Sequence, residues 1–161
     1  MGRVTAVLFA FTLVFLLATF SAKLSSKAPI HKLSGVDSSS AIERVLRAQQ
    51  GAWNRHDIEG FMAGYWNSPQ LTFFSGAIER DGWQATLDRY RATYSGPGHE
   101  MGKLEFSGLR IEMLSGDAAF VRGAWALTMP DGKTPHGLFT LVFRRLPEGW
   151  KIVHDHTSVA E

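Results

Sequence analysis

The feature that most constrains this chain is a change of hydrophobic period at Gly96-Pro97-Gly98. Before that stop, apolar residues recur at helical spacing; after it they alternate, as in strands with an inner and an outer face. A first helix is predicted from Ser40-Ala41-Ile42-Glu43, where Ser40 and Glu43 form a capping-box pattern. It runs through Ile42, Val45, Leu46 and Trp53 to about Asn54. Asp57 is a good N-cap for a short second helix with Ile58, Phe61, Met62 and Tyr65 on its apolar face. Leu71 to Phe74 is a short strand candidate, and Asp81 is expected to cap a third helix that aligns Trp83, Leu87, Tyr90 and Tyr94. Beyond the stop, strands are predicted at about 104–114, 118–129, 136–146 and 150–159. They are separated by Ser115-Gly116, Pro130-Asp131-Gly132 and Pro147-Glu148-Gly149, all hairpin chemistry. Helices first and a four-stranded meander afterwards specify an α+β domain rather than a βαβ array.

The N-terminus has a different character. Arg3 is followed by an uncharged, mostly apolar run from Val4 to Ala22, which Lys23 ends. A positive start and an apolar stretch read as a secretory signal, and the same stretch is long enough for a membrane anchor, since about 20 residues suffice to cross a bilayer. Residues 1–22 are therefore assigned to a signal peptide or anchor, 23–39 to a Ser- and Lys-rich flexible tether, and 40–161 to the globular domain. The expected location is outside the cytoplasm, periplasmic or extracellular, free or membrane-anchored. The basic pI of about 9.1 comes from this region: four of the 17 Lys/Arg precede Ser34, and none of the 15 acids does. From Ser34 onward 13 basic residues face 15 acidic ones, so no nucleic-acid footprint is expected. The absence of cysteine excludes disulfides, thiolate metal sites and cysteine catalysis.

Register assigns faces. A two-residue loop at Ser115-Gly116 would place Leu109, Ile111 and Met113 with Ala118, Phe120 and Arg122. A three-residue loop at 146–148 would place Leu138, Thr140, Val142 and Arg144 with Trp150, Ile152, His154 and His156, with Thr140 opposite His154. The other face would carry Val121, Trp125, Phe139, Leu141, Phe143 and Val153. His154 and His156 read either as structural histidines or as a polar cluster at a pocket, with imidazoles able to shuttle a proton. Arg122, mid-strand among apolar residues, either pairs with an acid such as Glu79 or Asp57 or presents its fork to a carboxylate ligand. A metal site would need a third ligand; His136 falls opposite Ser158 and Asp155 is read as projecting to the other side, so no metal and no cofactor is expected. Trp53, Tyr65 and Tyr90 are spaced as core residues whose polar ends could reach a ligand.

Several segments resemble one superfamily. Ala52-Trp53-Asn54-Arg55-His56-Asp57 is similar to the helix junction of SnoaL-like proteins, and Trp83 to Tyr90 to their third helix. Gly149 to Ser158 resembles the last strand of the calcium/calmodulin-dependent protein kinase II association domain and its bacterial stand-alone relatives. Ala119-Phe120-Val121-Arg122 resembles that group's strand bearing a pocket arginine. The resemblance, spanning Ser40 to Ser158, implies the cone-shaped nuclear transport factor 2-like fold, with three helices packed in a curved antiparallel sheet, here preceded by an apolar helix. That fold hosts isomerases, cyclases, dehydratases, ligand binders and assembly modules.

The expected function is a small-molecule-binding or assembly domain with a concave pocket. Arg122, Thr140, His154 and His156 would form its polar end, and Trp53, Tyr65 and Tyr90 its walls. The alternative is an enzyme of ketosteroid isomerase or polyketide cyclase type with His154 as proton carrier, although no catalytic carboxylate constellation is recognisable. The second apolar stripe, Trp125, Phe139, Leu141, Phe143 and Val153, suggests a homodimer through the convex face.

Overall fold

The last helix ends and the long strands begin where the period changes. In a computed structural model of the chain, which describes residues 31–96 and 98–160, α1 (His31–Trp53), α2 (Ile58–Met62), β1 (Thr72–Ser75), β2 (Ile78–Asp81) and α3 (Trp83–Tyr94) come first. The meander β3 (Lys103–Met113), β4 (Ala118–Thr128), β5 (His136–Leu146) and β6 (Gly149–Thr157) follows. All six strands join one curved sheet in the order β2-β1-β6-β5-β4-β3, antiparallel except where β1 runs parallel to β6. The segments assigned to a signal or anchor (1–22) and to the first part of the tether lie outside the described residues. Among the described residues no helix is long and apolar enough to cross a membrane.

Three local expectations are corrected. Residues 31–39, read as tether, belong to α1, so Ser40 and Glu43 sit inside a helix rather than at its cap. No proline interrupts the chain between Pro29 and Pro69, and Ser38 is buried, so helix propagation runs past the capping box. Glu43 instead pairs with Arg47 one turn on, at 3.3 Å. β2 was not anticipated; it folds back on β1 through Gly76, whose φ of +58° suits a glycine. Asp81 ends β2, and α3 is capped by Gly82 without a side-chain hydrogen bond. Asp57 does cap α2, its Oδ1 accepting from the Gly60 amide at 2.7 Å.

Both hairpin registers differ from expectation by one residue. Met113 pairs with Ala119 around a three-residue turn, and Leu146 pairs with Gly149 around Pro147-Glu148. β6 then carries a bulge at Val153, with Ile152 opposite Phe143 and His154 opposite Val142. The bulge falls where β6 changes neighbours. The Ile152 amide and carbonyl bond Gly64 and Trp66 in the α2–β1 connection, whereas His154 onward pairs with β1. One extra residue there re-aims the rest of the strand.

These shifts decide which face meets the helices. Val121, Phe139, Leu141, Phe143 and Ile152 are buried against Ile42, Leu46, Trp53, Phe61, Met62 and Leu87. At about 1.5–3 kcal/mol per buried side chain, this stripe is the core of the fold. The apolar residues expected to form a convex dimer face are thus largely covered by the helices: Trp125, Phe139, Leu141 and Phe143 all pack in the core, while Val153 occupies the bulge. Gly123 leaves room for this packing, since a Cβ there would lie 2.5 Å from the Phe139 ring.

Candidate functional site

The end of α1 is tied to the edge strand by its own side chains. The Trp53 indole donates to the Met101 and Gly102 carbonyls, both at 3.2 Å. Asn54 accepts from the Leu104 amide at 2.7 Å and donates to its carbonyl at 3.0 Å, while Gln50 accepts from the Phe106 amide at 2.8 Å. These bonds satisfy β3 backbone groups that no further strand pairs among the described residues, and they hold the helix across the open cone. Between helix and sheet lies a cavity of about 170 Å³. Its walls are aromatic: the Trp53 ring meets Phe61, Tyr90 and Tyr94 edge-on at 4.8–6.0 Å, and Phe61 meets Tyr90 at 5.2 Å.

One carboxyl enters this apolar space. Asp155 lines the cavity and is 5% exposed. One oxygen, Oδ2, is 2.7 Å from the Tyr65 hydroxyl; the other, Oδ1, is buried and has no partner among the described residues. Burial pushes the Asp155 carboxyl up to about 7, against a smaller downward pull from the Tyr65 hydrogen bond. Burial also raises the Tyr65 and Tyr90 hydroxyls, with Asp155 adding to both, so these phenols stay protonated as donors. A protonatable carboxyl on a residue that lines an aromatic cavity, with one oxygen unpartnered among the described residues and the other held by a phenol donor, has the chemistry to take a proton from a bound molecule or return one.

The seven residues singled out from the sequence divide between the two sides of the sheet. Trp53, Tyr65 and Tyr90 line the cavity. Arg122, Thr140, His154 and His156 do fall together, but on the outer face: Arg122 opposes Thr140, and Thr140 opposes His156, not His154. They do not form the polar end of the cavity. His154 is 2.6 Å from the Thr72 hydroxyl through Nδ1, and Phe74 packs edge-on to both imidazoles. Burial, and then His156, lower the His154 pKa, which keeps the ring neutral. Arg122 is exposed, with its guanidinium 5.8 Å over the Phe120 ring, and among the described residues it pairs with neither Glu79 nor Asp57. Asp155, read as projecting away, is the residue the sequence reasoning missed; the Val153 bulge turns it inward.

A strongly curved sheet closed over three helices, with an aromatic cup and one buried carboxyl, defines a nuclear transport factor 2-like protein. The SnoaL-like domain model matches residues 42–161, and the chain belongs to that family. A nuclear transport factor 2-like protein of unknown function from Shewanella oneidensis MR-1 is 38% identical. It superimposes with a TM-score of 0.70 over 74% of this chain and 98% of that one. Two more distant structures share the fold. A ketosteroid isomerase-like protein from Erwinia carotovora atroseptica has 22% identity and a TM-score of 0.62, covering 76% of this chain and 95% of that one. A type 2 hexachlorocyclohexane dehydrochlorinase has 16% identity and a TM-score of 0.65, covering 81% and 90%. No curated protein matches the chain significantly.

Proposed function

We propose that the cavity binds a small, mainly apolar organic molecule and that Asp155 moves a proton on it, as in an isomerase, cyclase or lyase. The observation that carries this reading is a cavity-lining carboxyl, Asp155, whose buried Oδ1 has no partner among the described residues. A buried polar atom left without a partner costs free energy, and a cavity beside it is where a ligand would supply one. A carboxyl held near 7 populates its base and acid forms together at neutral pH, the condition general acid–base catalysis needs. Tyr65, donating to Oδ2, steadies the ionised form and fixes the direction in which Oδ1 points. Proton-transfer chemistry on this fold is further supported by the names of the two distant neighbours, an isomerase-like protein and a dehydrochlorinase. The cavity is slightly larger than the ~150 Å³ that holds a benzene ring, so single-ring substrates fit. The sequence-based enzyme alternative thereby passes from His154, which the sheet separates from the cavity, to Asp155.

The test is deuterium exchange at the α-carbons of small cyclic ketones in heavy water, followed by proton NMR. Wild-type protein is expected to accelerate exchange for at least one ketone and Asp155→Asn to lose that acceleration. Equal rates in the two proteins would refute the proton-transfer reading. The uncharged run from Val4 to Ala22 supports the further proposal that the domain acts outside the cytoplasm. Intact protein in the soluble cytoplasmic fraction would contradict it.

A further inference from the structure

The cavity has a second polar pole that the proton-transfer reading does not use. Arg89, on α3, lines the cavity and is half-buried. Its helix neighbour Arg91 bonds Glu59 at 2.5 Å, Arg47 bonds Glu43 and Arg144 bonds Asp117. Arg89, by contrast, has no carboxylate partner and no side-chain hydrogen bond among the described residues. The one acid in the cavity lining does not neutralise it. The Arg89 charge is felt at Tyr90 and Tyr94, where it opposes the upward push of burial, but it is not among the groups that move Asp155. Arg89 stands on α3 next to Tyr90 and Asp155 on β6, so the two residues line the cavity from different elements. Ser75, another lining residue, adds a hydroxyl; it sits two positions along β1 from Phe73, the residue paired with Asp155.

A half-buried arginine on the wall of a mostly apolar cavity is stabilised by an anion that accepts its fork of N–H donors, and a planar carboxylate matches that fork. The cavity that Arg89 and Asp155 both line is walled by rings, among them Trp53, Phe61 and Tyr90. We infer that the ligand is a small ring-bearing carboxylate, its anion paired with Arg89 and its ring lying in the cavity against the wall that Trp53, Phe61 and Tyr90 form together. This assignment rests on the cavity being the ligand site. It adds that Arg89 selects the substrate class while Asp155 addresses an atom elsewhere on the same molecule.

Isothermal titration of the full-length chain with benzoate, benzamide and phenyl phosphate tests it. These probes share a ring and differ in the charge and shape of the substituent. Benzoate is expected to bind at least about tenfold more tightly than benzamide, the gain of one charge-assisted pair. Arg89→Gln should bring benzoate down to the benzamide level without changing benzamide affinity or the melting temperature of the free protein, and Arg89→Lys should retain part of the preference. Equal affinity for benzoate and benzamide, or an undiminished benzoate preference in Arg89→Gln, would overturn the inference. So would tighter binding of phenyl phosphate than of benzoate, or no benzoate binding at millimolar concentration. Ketone exchange that depends on Asp155 would still stand after any of these results, so the two readings fail separately.

Discussion

Two sides of one strand carry the polar residues of β6, and they have opposite fates. His154 and His156 face outward, where Thr72, Phe74 and solvent surround them; Asp155, between them in sequence, faces inward among aromatic rings. Burial disfavours the charged form on both sides, but the charged form of a carboxyl is its deprotonated one and that of an imidazole its protonated one. The same cause therefore raises Asp155 and lowers His154. The difference teaches that exposure and partners, not residue type, separate the candidate chemistry from the scaffold. His154 has a hydrogen-bond partner on Nδ1; Asp155 Oδ1 has none among the described residues, and its residue lines the cavity.

The largest effect expected from breaking this contrast is on chemistry. Asp155→Asn should lower ketone exchange by about 10²–10⁴-fold, the usual contribution of a general acid or base, while His154→Gln should leave it unchanged. Loss of exchange in His154→Gln with retention in Asp155→Asn would invert the assignment of the two faces. Next come the apolar residues of the neighbouring strands. Leu141→Ala removes a buried core side chain and should cost about 2–5 kcal/mol in urea denaturation. Arg122→Ala, on the exposed outer face, should stay within about 0.5 kcal/mol. Phe139→Glu should give unfolded or insoluble protein rather than a folded monomer, because Phe139 is 6% exposed inside the cone.

Stability against pH sharpens the comparison further. Because the folded Asp155 binds its proton more tightly than the unfolded one, its contribution is fully present below the ordinary carboxylate range. It is lost as pH rises through that range to about 7. His154 acts in the opposite direction: its lowered value means stability present above the ordinary imidazole range and lost as pH falls below it. Denaturation midpoints of Asp155→Asn should lack the decline between about pH 4 and 7 that is expected of wild type, whereas His154→Gln should keep it. The smallest expected effect is that of Tyr65→Phe. The Tyr65 hydrogen bond pulls Asp155 down, so its removal should move that decline to higher pH.

Much of the scaffold was legible because it depends on period and punctuation. The period change at Gly96-Pro97-Gly98, the three aromatic-faced helices and the four long strands all appear in the structure with boundaries displaced by a few residues, apart from the start of α1. The side of the sheet was harder to read. Phe139, Leu141 and Phe143 are more apolar than Leu138, Thr140 and Val142, and that contrast alone would have turned them toward the helices. The resemblance of the Arg122 strand and the paired histidines drew the assignment the other way. Asp155 was illegible for a different reason. A two-residue turn at Pro147-Glu148 fixes one parity, and the Val153 bulge, set by the backbone of Gly64 to Trp66 from a distant segment, reverses it. Nothing in the local sequence marks that bulge, since its cause lies about 90 residues away in the chain.

The central claim is that a carboxyl without a second partner stands in the aromatic cavity with its proton affinity raised by burial. Carbon-13 NMR of the Asp155 carboxyl in selectively labelled protein reads this directly, with Asp155→Asn identifying the resonance. The account predicts a titration midpoint of about 7. A midpoint near 4, the ordinary range for an aspartate in water, would show the group solvated or fully partnered and would contradict the account.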